Sequence, residues 1–268
     1  MRISFPLAVS FLLALPAIAP AAPVSPGPVA LDLSTPFGLR PGWRFVATPG
    51  SMIADPTGDP DDTVPGAIRL CISDDSGRTC RVPFGAMLVG GKPDLFSQPH
   101  FLNDARIVYP RPTLPLLFVQ AASLHSGNND QRVGTAVFRY DRAADAFVQV
   151  YRKLTGRNNN QEVRYIGSGR LRGAIISAEP TSDAPFGFWI TVNRLADGGA
   201  YRPTLRYRSA TRYGDGNPLA VIDSEMPNIQ RRLKLWQPGQ ALPLPAGPCP
   251  RPHMVAGALW CSGARVGA

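Results

Sequence analysis

Between Leu116 and Val221 apolar and polar positions fall into blocks: an apolar run of strand length, a long polar stretch, a second run, a tight turn, and a run again. Leu116 to Leu124, Val133 to Tyr140 and Ala146 to Arg152 are rich in β-branched and aromatic residues and too short for stable helices, so they read as strands. Asp141-Arg142-Ala143-Ala144-Asp145 joins the last two as a hairpin turn. Strands joined by short links run antiparallel, and each link therefore lies at the opposite end from the next. On that parity residues 125–132, 153–161, 180–186 and 209–218 share one edge, while 141–145 and 195–199 lie on the other. The long Asn- and Asp-rich loops are thus expected at one end of a rigid scaffold, the usual place for binding or chemistry.

The same rhythm recurs at an offset of 54 residues, which lays Val119 to Leu124 on Gly173 to Ala178, Thr135 to Tyr140 on Trp189 to Arg194, and Ala146-Phe147 on Ala200-Tyr201. We read this as a repeated three-strand unit, with a looser third copy over Arg44 to Phe84. Ahead of it, Trp43 to Thr48 reads as a strand, Pro49 to Pro65 as a loop, and Ala67 to Phe84 as a hairpin about Asp75-Ser76. Gly85 to Pro115 has few clear periods, and Pro110 and Pro112 suggest an irregular connection. A helix is expected over 224–236, capped by Ser224, with Met226, Ile229, Leu233 and Trp236 near one stripe and Pro238-Gly239 ending it. The expected fold is all-β, built of antiparallel meanders in a small propeller-like arrangement, with a two-sheet β-sandwich as the alternative.

Composition supports a folded chain of many turns: of 268 residues 44% are hydrophobic and 18% charged, with 29 Pro and 26 Gly. The N-terminus reads as a signal peptide over 1–21, with Arg2, an apolar run from Ile3 to Ile18, and Ala19-Pro20-Ala21 before the cut. Pro6 and Pro16 interrupt that run, which argues against a membrane span. Residues 22–268 are then expected to form a single all-β domain in the periplasm or secreted. The net charge is +9, and every basic residue except Lys92, Lys153 and Lys234 is arginine. It is unevenly spread, since residues 23–104 hold 6 basic and 9 acidic side chains and 139–212 hold 13 and 6. An export signal turns that basic region toward an anionic polysaccharide or lipid head group and away from nucleic acid.

Four cysteines in an exported chain imply disulfides. Pairing the hairpin symmetrically sets Ile72 opposite Thr79 and Cys71 opposite Cys80, close enough for a bridge, and leaves Cys249 to Cys261. Neither spacing resembles a zinc site. The aspartates at 55, 59, 61 and 62 offer oxygen ligands for Ca²⁺, but they lack the alternating spacing and closing Glu of the known loop, and no other cofactor is indicated.

The edge loops carry the candidate chemistry. Asn128-Asn129-Asp130-Gln131-Arg132-Val133 and Asn158-Asn159-Asn160-Gln161-Glu162-Val163 share the pattern Asn-Asn-x-Gln-x-Val. Each amide offers an acceptor and two donors, suited to sugar hydroxyls or peptide backbone. Asn and Asp also serve turns for purely local reasons, whereas Gln is no turn residue. Asp183 and Asp215 lie on the same edge, as do Asp130, Glu162 and Glu179, so a pair of them could act as acid and base on a glycoside. His125 is the one histidine on that edge, Ser168 in Gly167-Ser168-Gly169 lacks the nucleophile-elbow context, and Arg206 and Arg208 share a strand face. The functional expectation is a non-catalytic envelope protein that binds a glycan or other envelope component through Asn128, Asn129, Gln131, Asn158, Asn159, Gln161, Asp183 and Asp215. A carbohydrate-active hydrolase using the loop carboxylates is the alternative.

Overall fold

The computed structural model describes residues 28–58, 61–126, 130–156 and 160–262. Strand β1 (Val29–Asp32) and a single helical turn, α1 (Ser34–Phe37), lead into β2 (Arg44–Thr48). A small hairpin, β3 (Met52–Ala54) and β4 (Thr63–Pro65), precedes β5 (Arg69–Ser73) and β6 (Val82–Pro83). Next come β7 (Phe101–Arg111), β8 (Leu114–His125), β9 (Gln131–Asp141) and β10 (Ala146–Thr155), then β11 (Glu162–Tyr165), β12 (Ile175–Pro180), β13 (Gly187–Leu195) and β14 (Tyr201–Arg212). Helix α2 (Val221–Arg232) and the hairpin β15 (Pro252–Val255) and β16 (Ala258–Cys261) complete the chain. Every strand pairing is antiparallel, and the fold is all-β.

Three four-stranded sheets result: the first ordered β1-β2-β5-β6, the second β10-β9-β8-β7 and the third β11-β12-β13-β14. They stack in chain order. Side chains alternate across a strand, so β8 sends Leu117, Val119 and Ala121 toward Phe45, Leu70 and Ile72 of the first sheet. Its other face sends Leu116 and Phe118 toward Val163, Tyr165 and Ile175 of the third. Burial on both faces is why β8 reads as a nearly unbroken apolar run. Beyond the third sheet, Ile176, Ile190 and Val192 meet Val221, Ile222 and Ile229 of α2. The core clusters therefore run in a line from first sheet to helix. A ring about an axis would bring the first sheet to the last, and among the described residues no core cluster spans that pair; the clusters fit face-to-face packing in the sandwich manner, three sheets deep.

The second and third sheets are the repeated unit, each a four-stranded meander, with β8, β9 and β10 answering β12, β13 and β14 at the 54-residue offset. Asp141 builds the turn between β9 and β10 by accepting from Ala143 N (3.1 Å) and Ala144 N (3.4 Å), while Asp145 takes positive φ. β10 lies over β14, where Tyr151 meets Tyr201 edge to face at 5.8 Å. β11 lies beside β7, across an opening lined by both strands.

Four local expectations are corrected. Gly85 to Pro115 contains β7, an 11-residue strand, and Pro110 is tolerated near its end because β7 is an edge strand. The loop Pro49 to Pro65 contains the β3–β4 pair. In the cysteine hairpin Cys71 faces Pro83 and Ile72 faces Val82, since Ser73 Oγ accepts from Gly77 N and Asp75 accepts from Thr79 N, which widens the turn. The helix covers 221–232, and Ser224 is buried inside it instead of capping it. Its cap comes from another element: Ile222 N donates to Glu162 Oε1 at 2.7 Å. Leu233 and Trp236 lie past its end, although Met226, Ile229 and Leu233 still pack on the third sheet as the stripe implies.

The disulfides join Cys71 to Cys80 and Cys249 to Cys261, with Cα separations of 5.6 and 5.0 Å. Two such bridges belong to a compartment outside the reducing cytoplasm. Among the described residues no helix is long and apolar enough to cross a membrane. The segment read as a signal peptide lies outside the described residues.

Candidate functional site

The ends of β8, β9, β10 and β11 meet at the edge where the sequence places the amide-rich loops. Ser126 N donates to Asp130 O at 2.8 Å and closes one loop, and Gly156 N donates to Gln161 Oε1 at 3.0 Å and closes the other. Asn128, Asn129, Asn158 and Asn159 lie outside the described residues. The two glutamines have local duties that explain their recurrence. Gln131 is buried and donates to Ser123 O at 3.0 Å across the β8–β9 ladder, so it is a clamp. Gln161 ties its loop to Gly156 and also lines an opening.

That opening is a cavity of about 480 Å³ between the second and third sheets, lined by Asn103, Gln120, Val133, Thr155, Gly156, Gln161, Glu162 and Val163. Gln120 bridges the sheets, donating to Thr135 Oγ1 at 3.0 Å and to Val163 O at 3.4 Å. Asn103, Gln120 and Thr155 were invisible as site residues because they sit within strands. One signal was available: Gln120 is the sole long polar side chain in the apolar run from Leu114 to Leu124.

Carboxylates at this edge are each engaged. Glu162 takes Arg164 at 2.7 Å besides capping the helix, and Arg164 also holds Asp223 at 2.6 Å. Glu179 pairs with Lys153 at 2.7 Å. Asp183 is exposed and receives Arg208 at 2.9 Å, while the same guanidinium donates to Pro185 O. Asp215 accepts from Arg212 N and Asn217 N and so shapes its own turn. Asp130 accepts from Gln131 N. Arg206, on the same face as Arg208, stacks over the Trp189 ring at 4.8 Å. His125 sets its ring edge-on to Phe101 at 6.0 Å and keeps a buried Nδ1 without a partner.

Two phenols lie in the core between the second and third sheets. Burial and the charge of Glu179 hold the Tyr151 hydroxyl well above its usual pKa, and that hydroxyl has no hydrogen-bond partner. Tyr201, also raised by burial, donates to Gly173 O at 3.0 Å. These groups stay protonated over any physiological pH. In the aspartate segment, Asp55 accepts from Thr57 N and Oγ1, and Asp59 lies outside the described residues. Among the described residues no group of three or more His, Cys, Asp or Glu side chains is placed to hold a metal ion.

No family model, curated protein or solved structure matches this chain. The site is therefore read from its own geometry.

Proposed function

We propose that the protein is an exported envelope protein, periplasmic or secreted, that binds a glycan or another envelope component at the amide-lined end of its second and third sheets. The observation that carries this reading is the cavity of about 480 Å³ lined by Asn103, Gln120, Thr155 and Gln161. A concave site with converging amide and hydroxyl groups suits a ligand rich in hydroxyls. Binding is favoured over hydrolysis because Glu162, Glu179, Asp183 and Asp215 each already serve a cation or a backbone donor. A glycoside hydrolase needs an acid and a base free to face the scissile bond.

A glycan array probed with the folded, disulfide-bonded protein tests the reading. Asn129→Ala with Asn159→Ala is expected to weaken whatever binding the array reveals while leaving the melting temperature nearly unchanged, since substitutions in polar loops usually cost little. An array without a ligand, or an unaltered affinity in the double variant, removes this end from the function.

A further inference from the structure

The amide-lined cavity reaches Val163 of β11. It lies on the seam between edge strands β7 and β11, and farther along that seam the lining changes character. Arg106, Val108 and Tyr109 of β7 face Tyr165, Gly167 and Arg172 across a second opening of about 360 Å³. Two residues of β11 separate Val163 from Tyr165, a rise of about 7 Å. Three residues of β7 separate Asn103 from Arg106, about 10 Å. The two openings therefore follow one another along this seam.

The second opening has the parts of an oxyanion site. Arg106 is steadied from below by the Phe118 ring, 5.5 Å from its guanidinium carbon, and its Nε lies 3.2 Å from Asp104. Arg172 is exposed and has no carboxylate partner among the described residues. Its position is held by the turn beneath it, where Arg172 N donates to Gly169 O and Gly173 N to Ile166 O. Gly173 has φ +83° and lies so close to β7 that a Cβ there would sit 2.8 Å from Pro110 Cα, which brings Arg172 up beside β7. Tyr165, which lines the same opening, is 7% exposed, and its hydroxyl has no hydrogen-bond partner among the described residues. Burial raises its pKa, against a weaker pull from Arg172 and Arg106, and the hydroxyl stays a protonated donor. A buried donor without a partner is costly, and a ligand oxygen would satisfy it.

We propose that Arg106, Arg172 and Tyr165 form an oxyanion subsite in this second opening, and, resting on the glycan reading above, that the ligand is an acidic glycan bearing carboxylate or phosphate groups. Its neutral hydroxyls would meet Asn103, Gln120 and Gln161, and its anionic group would be received by two guanidiniums and a phenol.

Calorimetric titration of the full folded chain with inorganic phosphate, with galacturonate, and with galacturonic-acid and neutral galactose oligosaccharides of equal length tests this. Saturable uptake of at least one of the two small anions is expected, weakened roughly tenfold in Arg172→Gln and to a smaller extent in Tyr165→Phe, which keeps the ring and its packing. Whichever small anion binds more tightly identifies the group, phosphate or carboxylate. The acidic oligosaccharide should bind more tightly than the neutral one, with the preference lost in Arg172→Gln. Neither small anion binding, or equal binding by wild type and Arg172→Gln, overturns the subsite. Neutral and acidic oligosaccharides binding alike would leave the glycan reading standing and overturn the inference. An Arg172-dependent small-anion site with no oligosaccharide bound would keep the subsite and overturn the glycan reading.

Discussion

The second and third sheets share a meander and a 54-residue offset, yet they are covered by different chemistry. The outer face of the second sheet meets the first sheet through an apolar seam in which Phe45, Phe84 and Phe138 contact ring to ring at 4.9 to 5.5 Å. The outer face of the third meets helix α2, and a fully buried carboxylate lies in that interface. Glu225 accepts from Thr211 N (2.7 Å), Thr211 Oγ1 (2.8 Å), Tyr207 Oη (2.9 Å) and Asn228 Nδ2 (3.0 Å). Asn228 and Asn217 in turn reach the carbonyls of Gly257 and Leu259 in the β15–β16 hairpin. A repeated backbone unit thus leaves its partner open. A sheet can cover a sheet with apolar side chains alone, whereas a short helix and a two-stranded hairpin gain a single seating from directional bonds.

The apolar seam should show the largest effect. Phe138→Ala removes a ring from its centre and is expected to destabilise the fold by about 4 kcal/mol, measured by denaturant unfolding. A loss under about 1 kcal/mol would mean that the first sheet is not seated on the second.

On the other side, Glu225→Ala strands several buried donors and should cost about 3 kcal/mol. Glu225→Gln keeps an acceptor and should recover a substantial part of that loss. Equal losses in the two variants would show that volume, not hydrogen bonding, holds the helix.

Each cover also carries a disulfide. Replacing Cys249 and Cys261 by alanine should lower stability by about 2 to 3 kcal/mol, because the bridge closes a short loop around the hairpin that backs α2. Non-reducing peptide mapping should find the Cys71–Cys80 and Cys249–Cys261 peptides, and a mixed pair would refute the arrangement.

The smallest effect distinguishes the covers by pH. Arg81, with Arg40 beside it, holds the Asp74 carboxyl of the first sheet below the usual carboxylate range. A depressed folded pKa means that this contribution is complete above the unfolded value of about 4 and fades as pH falls toward the folded one. Asp74→Asn should lower the unfolding free energy slightly at pH 7, by about 1 kcal/mol or less since both arginines are largely exposed, and should flatten the decline below pH 4. An unchanged acid limb would remove the pair from the balance.

Local patterns carried far into the structure. Alternation and turn residues made β8, β9, β10, β13 and β14 legible, and the offset of 54 marked the repeated unit because hairpin strands bury alternate side chains wherever they pack. The Cys71–Cys80 pair was legible although its register was not, since proximity across a hairpin survives a wider turn and the register depends on where Ser73 and Asp75 spend their oxygens. β7 was hidden by Pro110 and by an edge position that leaves its pattern half-exposed. The helix start was misplaced because its cap, Glu162, lies 60 residues away.

The site divides along the same line. Sequence alone carried the expectation that the long polar loops share an edge, because each antiparallel strand reverses the chain and nothing beyond neighbouring residues is needed to count reversals. Only the tertiary structure decided that Gln131 is a buried clamp, that Asn103, Gln120 and Gln161 surround one cavity, and that Arg106, Tyr165 and Arg172 line one opening. The two openings join residues up to 66 positions apart, and the packing of one sheet face on another, which no local pattern encodes, is what brings them together.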